Sequence, residues 1–309
     1  MAHRPPGKKV IGIGVACLDQ LILWEDMTAP VREARIAACD MQGGGMTATA
    51  MVTVARLGGE AEFWGAVGDD WVADRILKGL QDERVDTSQV RRIDGKTSPF
   101  MVVCVDRPTG QRHFFHWTGL CDAQSPLGSL ERLQDAACLL TDLTRPETDL
   151  AAAREARRLG VPVVADVEGM SERARPVLAH VDCAIADEGC LRDLDTGADP
   201  RKACEAIRTM GPARVVITLG ERGLVFLDGE RFRRMDAFDI ETVDTTGAGD
   251  VFHGAFCYGL TQGLAMDANL AFASAAAALK CRRLGGRAGI PCRDDVVRFL
   301  KDRGVDLSG

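Results

Sequence analysis

Between Asp244 and Ala255 the sequence runs DTTGAGDVFHGA. Gly247, Ala248 and Gly249 carry almost no side chain, so their amides can converge on an anion, and Asp250 follows them at the start of an apolar run with the look of a helix. A helix N-terminus adds positive partial charge to such a nest of amides, and the place stabilises a phosphate. A carboxylate beside it can take a proton from an attacking hydroxyl while the amides stabilise charge on a transferring phosphoryl group. The chemistry this spacing offers is phosphoryl transfer, with Asp250 as general base. An N-cap alone would explain Asp250, since aspartate favours that position. It would leave the GAG run and the small residues of FHGAF without a reason.

Other nucleotide motifs fail. There is no GxxxxGK[ST], and Gly12 and Gly14 are followed by Val15, Ala16 and Cys17 with no third glycine in register. Eleven cysteines are scattered with no CxxC and no zinc-spaced Cys/His pair, which suits buried thiols in a reducing cytoplasm. A net charge of -7 argues against nucleic acid as the main partner. The N-terminal MAHRPPGKK is basic, but the apolar run behind it is broken by Gly12, Gly14 and Asp19, so neither a signal peptide nor a membrane span is expected. The localisation expected is cytoplasmic.

The elements that must position the motif alternate between strand and helix. Val10 to Leu18 is one continuous apolar run, expected as a strand buried on both faces, with Asp19 at its C-terminal end. Met46–Leu57 follows three glycines as a small-residue helix, Ala61–Gly68 returns as a strand and Trp71–Arg84 as an amphipathic helix. From Ser98 to Trp117 the period changes: FMVVCV and RHFFHW flank the turn-rich DRPTG, a β-hairpin that interrupts the rhythm and projects as a flap. The alternation resumes through AACLLTD, a helix over Glu147–Leu159, VPVVAD, CAIAD, PRKACEAIRTM and RVVIT, and closes with an alanine-rich helix over Ala271–Cys281. With no repeat and no long linker, residues 1–309 form one doubly wound α/β domain with a β flap.

VDTTGAGDVFHGAF resembles the DTxGAGD motif of the ribokinase, or PfkB, family of carbohydrate kinases. GGGMTATAMVTVARLG (Gly43–Gly58) is similar to that family's N-terminal glycine motif, TLGERG (Thr218–Gly223) to its nucleotide-side turn, and KCRRLGGRAGIP (Lys280–Pro291) to the loop that closes over adenine and often a monovalent cation. The resemblance implies a ribokinase-like fold, a mostly parallel sheet flanked by helices, with a small β lid from segments near 20–43 and 97–118 that covers the sugar. It implies an ATP-dependent kinase acting on a primary hydroxyl of a small sugar, with Asp250 as base and Gly247, Ala248 and Gly249 as the anion hole. Asp19, Gly44, Gly45 and Thr49 would meet the sugar, and Thr218, Gly220, Gly223 and Ser274 would border the nucleotide. ATP and Mg2+ are the implied cofactors, K+ a further one, and a homodimer through the lid the implied assembly.

Two positions depart from the family pattern. Thr49 stands where an asparagine is usual, and the NxxE element falls near Ala186–Gly189, where neither end matches; Asp187 or Glu188 would have to substitute. DTTGAGDVFHGA together with the GGRAGIP tail looks closest to kinases of ketohexoses and their C6-modified relatives, including sulfofructose kinases. His116 and Arg145 are then candidates for the substrate's far end, while Arg145, just before Pro146, could equally be a surface turn residue. A nucleoside acceptor, disfavoured by scarce lid aromatics, and a non-catalytic sensor of the same fold are the rivals.

Overall fold

The computed structural model describes residues 9–25, 36–107, 109, 112–119, 129–170, 172 and 174–307. Residues 1–8 of the basic N-terminal stretch, residues 26–35 of the expected lid segment, and Pro108 and Gly110 of the DRPTG turn lie outside the described residues. The chain runs through β1 (Lys9–Ile13), β2 (Cys17–Trp24), β3 (Ile36–Gly44), α1 (Met46–Arg56), β4 (Glu60–Trp64), β5 (Ala66–Val67), α2 (Trp71–Asp82) and β6 (Arg91–Arg92). Next come β7 (Phe100–Asp106), β8 (Arg112–Trp117), β9 (Ala136–Thr141), α3 (Pro146–Leu159), β10 (Val163–Val167), α4 (Arg175–Leu178), β11 (Cys183–Asp187), α5 (Cys190–Asp193) and α6 (Pro200–Thr209). It ends with β12 (Arg214–Thr218), β13 (Leu224–Asp228), β14 (Arg231–Met235), α7 (Ala248–Thr261), α8 (Met266–Lys280) and α9 (Arg293–Lys301).

Eight strands form the main sheet in the order β14-β13-β12-β11-β10-β9-β1-β4. From β4 to β12 neighbours are parallel, and β13 and β14 are added antiparallel at the edge. The central strands β1, β9, β10, β11 and β12 are largely apolar because both faces are covered, whereas the edge strand β14, RFRRM, is mostly exposed. Val10 packs on one side with α1, α2, α7 and α8, whereas Ile11 and Ile13 pack on the other with α3 and α6.

The expected strand Val10–Leu18 is two strands. β1 ends at Ile13, and Gly14 turns the chain out of the main sheet; a Cβ there would collide with the Asp142 carboxylate and the Thr47 hydroxyl. Asp142 fixes the turn by accepting from the Val15 amide (2.7 Å) and the Thr47 hydroxyl (2.9 Å). Asp19 is therefore the third residue of β2, in a separate four-stranded sheet ordered β3-β2-β7-β8. Register puts Gln42, Asp19, Met101 and His116 in one row across that sheet, hence on one face. Phe115 and Trp117, 60% and 61% exposed, and Met41, 47% exposed, point to the opposite face.

Candidate functional site

The site lies where α7, α1 and the two sheets meet. Gly254 of α7 has no Cβ to hold off the Ala50 carbonyl, so α7 and α1 approach closely and bring Asp250 toward Thr49. Gly247 adopts the left-handed conformation (φ 73°) as the residue preceding α7, and a Cβ there would sit 2.9 Å from the Gly286 carbonyl. The Ala248 amide bonds to the Thr245 carbonyl (3.1 Å). It is therefore turned into the loop, and the donors best placed for an anion are the first-turn amides of Gly249 and Asp250, which have no partner within the helix. Space is open beside Gly249, with nothing within 4 Å of a Cβ position.

Asp250 sits at the floor of this space. Burial pushes its carboxyl up to about 7, Asp166 and Glu168 push in the same direction, and His253 and Arg287 pull it back. A base poised near neutrality is what general-base chemistry wants. His253, one turn on, lies with Nδ1 2.7 Å from the Gly249 carbonyl and Nε2 3.4 Å from Asp166 Oδ1.

On the opposite wall, Asp19 is buried, accepts from the Cys17 thiol (3.0 Å) and lies directly under Gly44, whose Cβ would overlap its carboxylate. Burial raises Asp19, while the thiol bond, Arg287 and His116 hold it back. Gly45, at φ 90°, caps the start of α1; a Cβ would lie 2.5 Å from the Val15 carbonyl.

Arg287 joins the two walls; from the sequence it could equally have been a structural residue of the tail loop. It is 7% exposed; Nε donates to the Thr49 hydroxyl (3.1 Å) and Nη2 to the Gly44 carbonyl (2.8 Å). Its own carbonyl is pinned by Arg56 Nη1 at 2.7 Å. Burial pulls its guanidinium below the usual range against the opposing charges of Asp19 and Asp250. A threonine where an amide is usual thus becomes intelligible: the short hydroxyl makes room for a guanidinium delivered from the far end of the chain. Gly43 contributes by omission, since its Cβ would overlap Arg287 Nη1. The signal in the sequence was the pairing of Thr49 with an arginine in the tail loop.

His116 is exposed, in the row with Asp19 and on the same face of the small sheet. Arg145 is not a surface turn residue: it is 3% exposed, just before α3, with Nη1 on the Gly14 carbonyl and its amide on Asp149 Oδ2 (2.8 Å). Its Nε is buried with no partner. Thr218 ends β12 and donates to the Ala186 carbonyl (3.3 Å), Gly220 and Gly223 take positive φ of 59° and 81°, and Ser274 lies half-buried in α8.

The parallel strands β10 and β11 deliver Asp166, Glu168 and Asp187 to the same end of the sheet, where Glu168 and Asp187 both raise Asp166 beyond the effect of its burial. Such oxygen donors suit a hard cation. Among the described residues no group of three or more His, Cys, Asp or Glu side chains converges to hold a metal ion.

Residues 9–293 match the model of the pfkB family carbohydrate kinases. The chain belongs to that family. It is 28% identical over 272 residues to the ribokinase of Lactococcus lactis, covering 86% of this chain and 88% of that one. The aminoimidazole riboside kinase of Salmonella typhimurium is 29% identical over 286 residues, covering 85% and 89%. Among solved structures, Arabidopsis thaliana ribokinase complexed with ribose and ATP superposes with a TM-score of 0.86 at 25% identity, covering 96% of this chain and 99% of that one. The α/β fold with a large sheet and a small separate sheet is that of these ribokinases, and the protein is a carbohydrate kinase of their family.

Proposed function

We propose that this kinase transfers the γ-phosphate of ATP to a primary hydroxyl of a ketohexose or a C6-modified, anionic ketose. What supports the reading is the set of Asp19, Arg287 and Asp250: a buried carboxylate, a buried guanidinium on which both carboxylates act, and a carboxyl near neutrality. Asp19 accepts from sugar hydroxyls, whose donors offset the cost of its burial. Arg287 orients the sugar against Gly44, and Asp250 takes the proton of the attacking hydroxyl. The Gly249 and Asp250 amides hold the transferring phosphoryl group. Glu168 and Asp187 would hold the water shell of magnesium, which when bound neutralises charge on the ATP phosphates.

The small sheet serves as the lid, with the row of Asp19 and His116 turned toward the sugar and excluding water. An anionic group at the substrate's far end fits a hydrogen bond from His116, which stands in that row. The outer face, carrying Met41, Phe115 and Trp117, is an apolar patch suited to pairing with a second copy. A riboside is the second reading, favoured by Phe114, which is exposed and lies 6.2 Å from His116 on the inner face. Lid aromatics are thus less scarce than the sequence suggested.

ADP release with MgATP across fructose, fructose phosphates, sulfofructose, ribose and nucleosides separates these readings. An anionic ketose giving the highest kcat/KM supports the first and a nucleoside giving it supports the second. Turnover with none, while sugar still binds, overturns both.

A further inference from the structure

Lys280 ends α8 and is fully buried, at 0% exposure. An ammonium in that position is costly unless oxygens surround it. Its Nζ donates to the main-chain carbonyl of Asp244, at 2.9 Å. Asp244 is the hub of the phosphate loop: Oδ1 accepts from the Thr246 amide (2.9 Å) and hydroxyl (2.8 Å), and Oδ2 from the Gly285 amide (2.7 Å). The amides of Val243 and Asp244 return to the Cys281 carbonyl at 2.8 and 3.0 Å. Gly289 packs so closely over the Lys280 carbonyl that a Cβ would overlap it. The segments 243–246, 280–281 and 285–289 are therefore drawn together, with the buried ammonium on the Asp244 carbonyl.

The family resemblance implies a monovalent cation held by this tail loop. Such an ion carries one positive charge and binds main-chain carbonyls; here the Asp244 carbonyl is already engaged by an ammonium of the same charge. The residues present do not fit a separate potassium ion. We propose that Lys280 is a positioning residue that replaces the monovalent cation, fixing the phosphate loop in its anion-accepting shape and making turnover independent of potassium. Burial would raise the Asp244 carboxyl, yet the bonds from Thr246 and Gly285 and the charge of Lys280 hold it below the usual range, as a built-in cation should. The proposal rests on the kinase reading above for its turnover arm only.

The test is a salt series at constant ionic strength, KCl against tetramethylammonium chloride, read by melting temperature and by turnover with MgATP. For the wild type both readouts should be the same in the two salts. Lys280→Ala, which opens the ammonium's place, should lose about tenfold or more of its turnover in tetramethylammonium and recover it in K+ or NH4+, with a K+-specific rise in melting temperature. Lys280→Met, which keeps the bulk and removes the charge, should lose activity without recovery. Potassium activation of the wild type, or a K+-specific stabilisation of it, overturns the proposal; so does a Lys280→Ala protein that is fully active and indifferent to K+. Should no sugar be phosphorylated, the function proposed above fails while the melting arm still decides this one. Should Lys280→Ala not fold, the wild-type salt series decides alone.

Discussion

Replacing Asp250 by asparagine removes a base while keeping the shape of the first turn of α7. With the carboxyl near 7, roughly one part in eleven is ionised at pH 6 and roughly ten in eleven at pH 8, so kcat/KM of the wild type should rise about tenfold across that interval. The sign is fixed by the role: the ionised form accepts the proton, so activity is present above the midpoint and lost as pH falls through it. Asp250→Asn should lower kcat/KM by roughly 10²–10⁴-fold and flatten the profile. Subsaturating acceptor in a coupled ADP assay reads this limb for the free enzyme. An asparagine variant within a few-fold of wild type, or one that keeps the same acid limb, would refute Asp250 as the base.

Arg287→Met removes a charge that lowers the Asp250 carboxyl, so the midpoint of the same profile should move up, together with a rise in sugar KM that exceeds any change in ATP KM; an unmoved or lowered midpoint counts against the assignment. Gly44→Ala puts a Cβ onto the Asp19 carboxylate and should raise sugar KM about tenfold or more with ATP KM little changed, as initial-rate measurements on the two substrates will show. Away from the site, Glu62 is fully buried and accepts from Lys9 (2.8 Å), Arg132 (2.6 Å) and Trp64 (2.8 Å). Its burial would raise the carboxyl, but those bonds outweigh it and hold the group low, so its stabilising contribution is present above the ordinary glutamate range and fades as pH falls. Glu62→Gln should cost roughly 2–4 kcal/mol at neutral pH, read by thermal denaturation, and an unchanged melting temperature would show the cluster contributes little.

The elements of this protein were written in short-range pattern. Met46, Trp71 and the Pro146–Glu147 pair begin helices, and AACLLT, VVADV and CAIAD are strands, because burial on both faces demands unbroken apolar runs between turn residues. The place of Asp250 in the first turn of α7 was legible as well, since glycine, small residue and carboxylate in that order mark a helix start locally. What the sequence by itself did not determine was which distant residues share a space. Gly14 diverts the chain after Ile13 only because Asp142 and Thr47 occupy the room a side chain would need, so the expected single strand became two in different sheets. The same non-local packing turned Arg145 inward onto Gly14 and carried Arg287 across 238 residues of sequence to Thr49. Buried charges are set this way in general. Local pattern decides what a segment becomes, but a guanidinium or ammonium can be buried only where carbonyls and carboxylates from other segments already converge, and for Arg287 and Lys280 that convergence exists only in the folded chain.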